Sequence, residues 1–201
     1  MAEKRSVTFF EDQFRRQVRE QDFALNPFEG LALEHVRGRV LDLGCGLGNL
    51  AIEAARRGCS VTAVDASPTG VAHAQQAALR ERLSLTASVA DLETWTIDRD
   101  YDTIVAIGLL MFFPRERALA LLADIQRHVA PGGKAIVNVL VTGTTFLDMF
   151  EPGHYFLFTP GELKQAFAGW RQVACREEEF AAPRGTVKRF CTLVAEKAEA
   201  A

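Results

Sequence analysis

The sequence predicts an α/β fold built on a mostly parallel sheet, and three observations carry that prediction. Strand-like and helix-like apolar patterns alternate along the chain, as they do where helices cross over between parallel strands. The first strand runs into a turn holding Gly44, Gly46 and Gly48, and that turn opens a helix. The second strand ends on an acid, Asp65, about 20 residues after the turn begins.

The elements follow in order. An N-terminal segment over residues 9–28 places Phe10, Phe14 and Val18 on one helical face and predicts a helix lying over the domain. Arg39 to Leu43 (RVLDL) is a short apolar strand. Leu47, Leu50, Ala51, Ala54 and Ala55 then recur at helical spacing until Gly58 ends the helix. Residues 60–64 (SVTAV) form the second strand. Ser67 before Pro68 reads as a helix cap with proline at the first helical position. Residues 83–89 are a weaker third strand. Tyr101 to Ile107 is a fourth, apolar enough to be buried on both faces. Ala118, Leu121, Leu122, Ile125 and Val129 make the clearest amphipathic stripe, ended by Pro131-Gly132-Gly133. Residues 134–141 form the fifth strand. Thr159-Pro160-Gly161-Glu162 reads as a capping box opening a short helix through Phe167. Residues 170–175 and 188–195 are two further strands, too close in sequence for a helical crossover and so antiparallel. The sum is a Rossmann-like three-layer sandwich: a seven-stranded, mostly parallel sheet with an antiparallel last strand. A single domain over 1–201 is expected, with a helical lid over 1–30 and the core over 36–198.

Composition bounds the function. The chain has 201 residues, 48% hydrophobic and 24% charged, with a net charge of −3, so no field draws nucleic acid or an acidic membrane. The longest apolar stretch is about half of what a membrane span needs. The N-terminus lacks the apolar core of a signal peptide. Cys45, Cys59, Cys175 and Cys191 form no C-x-x-C pair and have no His at ligand spacing, so no metal site and no disulfide framework is expected. Cysteine usage predicts a cytoplasmic protein with reduced thiols. A small-molecule partner and a monomer or homodimer are separate expectations that composition does not set.

The turn Leu41-Asp42-Leu43-Gly44-Cys45-Gly46-Leu47-Gly48-Asn49 carries the chemistry. A dinucleotide site wants glycine or alanine where Asn49 stands. The pattern [LV]-D-x-G-x-G-x-G, suited to S-adenosylmethionine (SAM), matches throughout. Glycines let the backbone approach the methionine tail, and Asp42 is placed for its ammonium. Asp65 is placed for the ribose hydroxyls, with Ala66 and Ser67 beside it. Asp91 and Leu92 are candidates for the adenine amino group and ring, with Ile107 at the end of the fourth strand. The substrate wall is expected from Phe10, Phe14, Leu109, Phe112, Phe113, Phe146 and Tyr155. An acceptor arriving deprotonated would prefer cationic hosts, and a protonated one would need a base, for which His154 and His35 are candidates.

These motifs resemble class I SAM-dependent methyltransferases over almost the whole chain. LDLGCGLGN is similar to motif I, VTAVDAS to the acidic second strand, VADLETW to the adenine-side loop and PGGKAIVNV to the turn into the fifth strand. A narrower resemblance is to the tellurite-resistance, TehB-type methyltransferases, on YDTIVAIGLLMFF, FLFTPGELKQAFAGW and KRFCTLVAEK. The resemblance implies SAM as cofactor, S-adenosylhomocysteine as product and an oxyanion or thiol-like acceptor. It also implies roles for Arg189 on the closing strand and for Arg184. The family's His-Arg pair before that strand has no histidine counterpart here. A small-molecule O- or N-methyltransferase of an aromatic metabolite, or a non-catalytic SAM-binding regulatory domain, is the alternative reading.

Overall fold

The computed structural model describes residues 5–159 and 161–199, so Pro160 of the expected capping box lies outside the described residues. Helices α1 (Arg5–Glu20) and α2 (Pro27–Leu33) precede β1 (Arg39–Leu43). Then come α3 (Asn49–Arg56), β2 (Ser60–Asp65), α4 (Pro68–Glu81), β3 (Leu85–Val89) and β4 (Tyr101–Ile107). The chain continues through α5 (Arg115–His128), β5 (Val129–Leu140), α6 (Glu162–Ala166), β6 (Arg171–Ala182) and β7 (Thr186–Glu196).

The seven strands form one sheet in the order β3-β2-β1-β4-β5-β7-β6. The first five are mutually parallel; β7 runs antiparallel to both β5 and β6. Strand order reverses between β1 and β4, which opens a crevice at their carboxyl ends.

Alternation along each strand separates two cores. Leu41, Leu43, Ile104, Ala106 and Val137 pack with Leu121 and Ile125 of α5 on one face. Val40, Ala63, Val105 and Ile136 pack with Leu50, Ala54 and Ala74 on the other. Two helical layers around one sheet are the three layers the sequence predicts. A third cluster, Met111, Leu140, Phe146, Met149 and Phe150, closes the end near the crevice.

Three elements differ from the sequence reading. The fifth strand starts at Val129, so Pro131-Gly132-Gly133 lies within β5 instead of separating it from α5. The expected helix over 9–28 is two helices. The first ends before Gln21, whose φ is 55°, and the second starts at Pro27 behind an Asn26 cap. The Asn26 side chain accepts from Phe28 N and Glu29 N, while Glu29 Oε2 accepts from Asn26 N, a reciprocal box. The final hairpin is longer than predicted, because the charged run Arg176 to Glu179 continues β6 along the sheet edge. Its exposed charges suit an edge strand, where they discourage pairing with another chain. The Thr159–Glu162 box is also present in part. Glu162 Oε2 accepts from Thr159 N at 2.9 Å, and α6 begins at Glu162.

Candidate active site

The crevice is a cavity of about 440 Å³, within the range of about 300–1,000 Å³ usual for small-molecule sites. Its floor is the turn between β1 and α3. Gly44 N and Cys45 N donate to Val64 O at 2.9 and 3.1 Å, which ties the turn to β2. Asp65 then receives two backbone donors, Gly46 N on Oδ2 at 2.8 Å and Ser67 N on Oδ1 at 2.7 Å. Those bonds oppose the desolvation that, as the largest influence, raises its carboxyl above the usual range. Ser67 caps α4 by accepting from Gly70 N at 2.9 Å.

Side chains are excluded from this floor. A Cβ on Gly70 would lie 2.2 Å from Gly46 O, and one on Gly46 would lie 2.9 Å from the Phe14 ring. Gly46 has φ of 55°, a conformation glycine adopts without strain.

Asp42 is 4% exposed, and burial pushes its carboxyl up to about 8, with the charges of Glu29 and Asp65 adding to the shift. Glu29 is raised as well, mainly by desolvation. An arriving ammonium would relieve this crowding of acids. Two buried acceptors, Asn49 Oδ1 and Asn138 Oδ1, have no hydrogen-bond donor among the described residues, and both asparagines line the cavity. A ligand with an ammonium and ribose hydroxyls supplies donors to such acceptors. The residues therefore fit the methionine and ribose parts of SAM.

Of the residues predicted to touch cofactor, Asp42, Gly44, Cys45, Gly46, Asn49, Asp65, Ala66, Ser67, Asp91, Leu92 and Ile107 line the cavity. Gly48 does not; it caps α3 with φ of 75°, its Cβ position blocked by Ala74. Cys45 is a buried thiol that desolvation, with the nearby Asp42 and Asp65 charges, holds well above its ordinary range.

Of the predicted substrate wall, Phe10, Phe14, Leu109, Phe112 and Phe113 face the cavity. Phe146 and Tyr155 stand behind it. Phe146 packs in the Met111–Phe150 cluster, and Tyr155 stacks on Phe150 at 4.6 Å.

None of the three predicted catalytic residues reaches the cavity. Arg184 lies at the exposed hairpin tip, paired with Asp148. Arg189 is half exposed and pairs with Glu179 across the hairpin at 3.0 Å. His154 Nε2 lies 2.8 Å from Glu93 Oε1, joining the loop after β5 to the loop after β3. His35 also lies outside; desolvation, then the nearby Lys134 charge, lowers its pKa.

Several lining residues escape the sequence reading: Glu29, Asn138, Lys188 and Phe190. Glu29 had a legible signal, the Asn26-Pro27-Phe28-Glu29 capping box. For Lys188 the signal was parity: β7 residues 188 and 190 share a face, and 189 points to the other.

Sheet order, glycine turn and acid-ended second strand together define a class I SAM-dependent methyltransferase fold. Within that class, residues 29–184 match the family model described as Tellurite resistance protein TehB, and the chain belongs to the TehB family. It is 36% identical over 142 residues to Hemagglutinin 1 of Eikenella corrodens, covering 69% of this chain and 46% of the relative. It is 30% identical over 140 residues to a probable S-adenosyl-L-methionine-dependent methyltransferase TehB of Haemophilus influenzae, covering 69% of this chain and 48% of the relative. The crystal structure of TehB from Haemophilus influenzae superposes with a TM-score of 0.75 at 23% identity, over 94% of this chain and 67% of that one. The chain thus spans about half the length of the curated relatives it matches.

Proposed function

We propose that this chain transfers the methyl group of SAM to a small molecule with an apolar, largely aromatic body. One observation carries the reading. A single cavity joins the acid-rich glycine turn to a chamber walled by Phe10, Phe112, Phe28 and Phe190. Asp42, Asp65 and Asn49 are proposed to hold the methionine tail and ribose, and Leu92 and Ile107 the adenine face. When bound, SAM supplies an electrophilic methyl on a sulfonium. The protein's part is then to align an acceptor and exclude water.

A bare oxyanion such as tellurite is the second reading, which the family's name favours. Such an anion wants arginine forks. Arg184 and Arg189 are paired with acids outside the cavity, and the cation that does line it, Lys188, is a point charge and not a fork, so the aromatic acceptor is preferred.

The test is a turnover screen following S-adenosylhomocysteine, with phenols, hydroxy-heteroaromatics, thiols, tellurite and selenite as acceptors. At least one aromatic acceptor should exceed the acceptor-free rate clearly. Turnover confined to tellurite or selenite would move the assignment to the second reading. As a point check, Asp65→Ala should weaken S-adenosylhomocysteine by about 1–3 kcal/mol through lost hydrogen bonds. Unchanged affinity in the folded variant would remove the ribose assignment.

A further inference from the structure

We propose that Lys188 selects methyl acceptors carrying an anionic group, by pairing its ammonium with that group inside the aromatic chamber. This deepens the methyltransferase reading above and rests on it.

Lys188 is the only cationic side chain among the described residues that line the cavity. The acids there, Asp42, Glu29, Asp65, Asp91 and Glu93, come from β1, α2, the end of β2 and the loop after β3. On β7, Lys188 and Phe190 share the inward face, while Arg189 between them is turned out to Glu179. The Lys188 Nζ lies 4.6 Å from the centroid of the buried Phe146 ring, which packs just behind the chamber wall.

No carboxylate of the described residues pairs with it. Desolvation displaces its pKa downward, and the half-buried ammonium has no counter-ion among the described residues. A ring can offset part of that desolvation, but an anion does more. At the β7 side of the chamber the unpaired charge is therefore this cation, and an acceptor that is both flat and negative meets it. Phe28 and Phe190, with centroids 4.7 Å apart, offer ring faces and edges for the flat body.

The test uses the full chain saturated with S-adenosylhomocysteine, whose binding is measured first by calorimetry. The probes are 2-naphthoate and its neutral isostere 2-naphthamide, against wild type, Lys188→Met and Lys188→Arg. Wild type should bind naphthoate at least about tenfold more tightly, a difference of about 1.4 kcal/mol. Lys188→Met should lose that preference while keeping S-adenosylhomocysteine affinity, and Lys188→Arg should retain it. Absent binding of naphthoate to the loaded wild type, equal binding of the two probes, or a preference surviving in Lys188→Met would each overturn the proposal. Failure to bind S-adenosylhomocysteine at all would instead remove the methyltransferase reading beneath it.

Discussion

Asp42 sits where a carboxylate is expensive to hold, with Glu29 and Asp65 as its charged neighbours, and burial lifts its carboxyl to about 8. At pH 7 the ligand-free chain therefore holds a proton there that the unfolded chain, with the ordinary value of 3.8, has lost. The folded state binds more protons across that window, so the Asp42 contribution to stability falls as pH rises from about 4 to 8. An ammonium brought by ligand reverses the preference and drives the proton off. S-adenosylhomocysteine should thus bind with proton release at pH 7, and its affinity should rise from pH 6 to 8. Calorimetry in phosphate and in Tris should give apparent enthalpies that differ by the buffers' ionisation heats. Asp42→Asn should abolish the difference and weaken binding by about ten- to a hundredfold, as loss of one charge-assisted contact of about 1.5–3 kcal/mol implies. A buffer-independent enthalpy in wild type would contradict this role for Asp42.

Among elements, α1 is held by one buried acid. Glu11 is 7% exposed and accepts from Ser67 Oγ and Thr69 Oγ1, both at 2.5 Å, at the first turn of α4. Burial pulls its carboxyl up, but these hydrogen bonds and the Arg15 charge together hold it below its ordinary value. A lowered folded value gives stability that is present above about 4.5 and lost as pH falls through the folded value. Glu11→Ala should loosen α1: amide exchange over residues 5–20 should accelerate by about five- to a hundredfold, for about 1–3 kcal/mol of lost interaction, while β1 and β4 stay protected. Unaltered exchange over α1 would show that Phe10 and Phe14 suffice to dock it. This latch was not legible in the sequence. A glutamate in a charged stretch, Phe10-Glu11-Asp12, reads as solvent-facing until α4 is known to lie opposite. What was legible is what local pattern decides. The bounds of β1 and β4 follow from short apolar runs buried on both faces between polar or glycine-rich flanks. The outer half of β6 was hidden because Arg176 to Glu179 has no apolar alternation; its strand form comes from cross-strand partners such as Arg189, supplied by β7. The site divides the same way. The glycine turn is set by contiguous sequence, whereas the cation in the chamber depends on which face of β7 turns inward.

Across the whole molecule, the cavity belongs to no single layer: α1 and α2 form one wall, the carboxyl ends of the parallel strands form the floor, and β7 closes the side with Lys188 and Phe190. A ligand filling it therefore couples elements far apart in the sequence. Phe14 of α1 lies against Gly46 of the turn, and Glu11 reaches the residues just after Asp65, so α1 senses the state of the floor directly. We expect α1 to act as a lid whose ordering is linked to cofactor. The linkage has a size: ligand at about 100 times its dissociation constant stabilises the bound state by about 2.7 kcal/mol. If the lid must be docked for tight binding, that same free energy bears on its opening. Exchange of residues 5–20, which open most readily if the latch is weak, should then slow by up to about a hundredfold with saturating S-adenosylhomocysteine. The turn over 44–49 and the start of α4 should slow with it. The exposed hairpin tip over 183–185, away from the floor, should exchange at its ligand-free rate. Slowing at the turn with no change over 5–20 would mean that cofactor binds beneath an indifferent helix. The lid would then have to answer to the acceptor instead, and adding 2-naphthoate to the cofactor-loaded chain would be the condition under which α1 becomes protected.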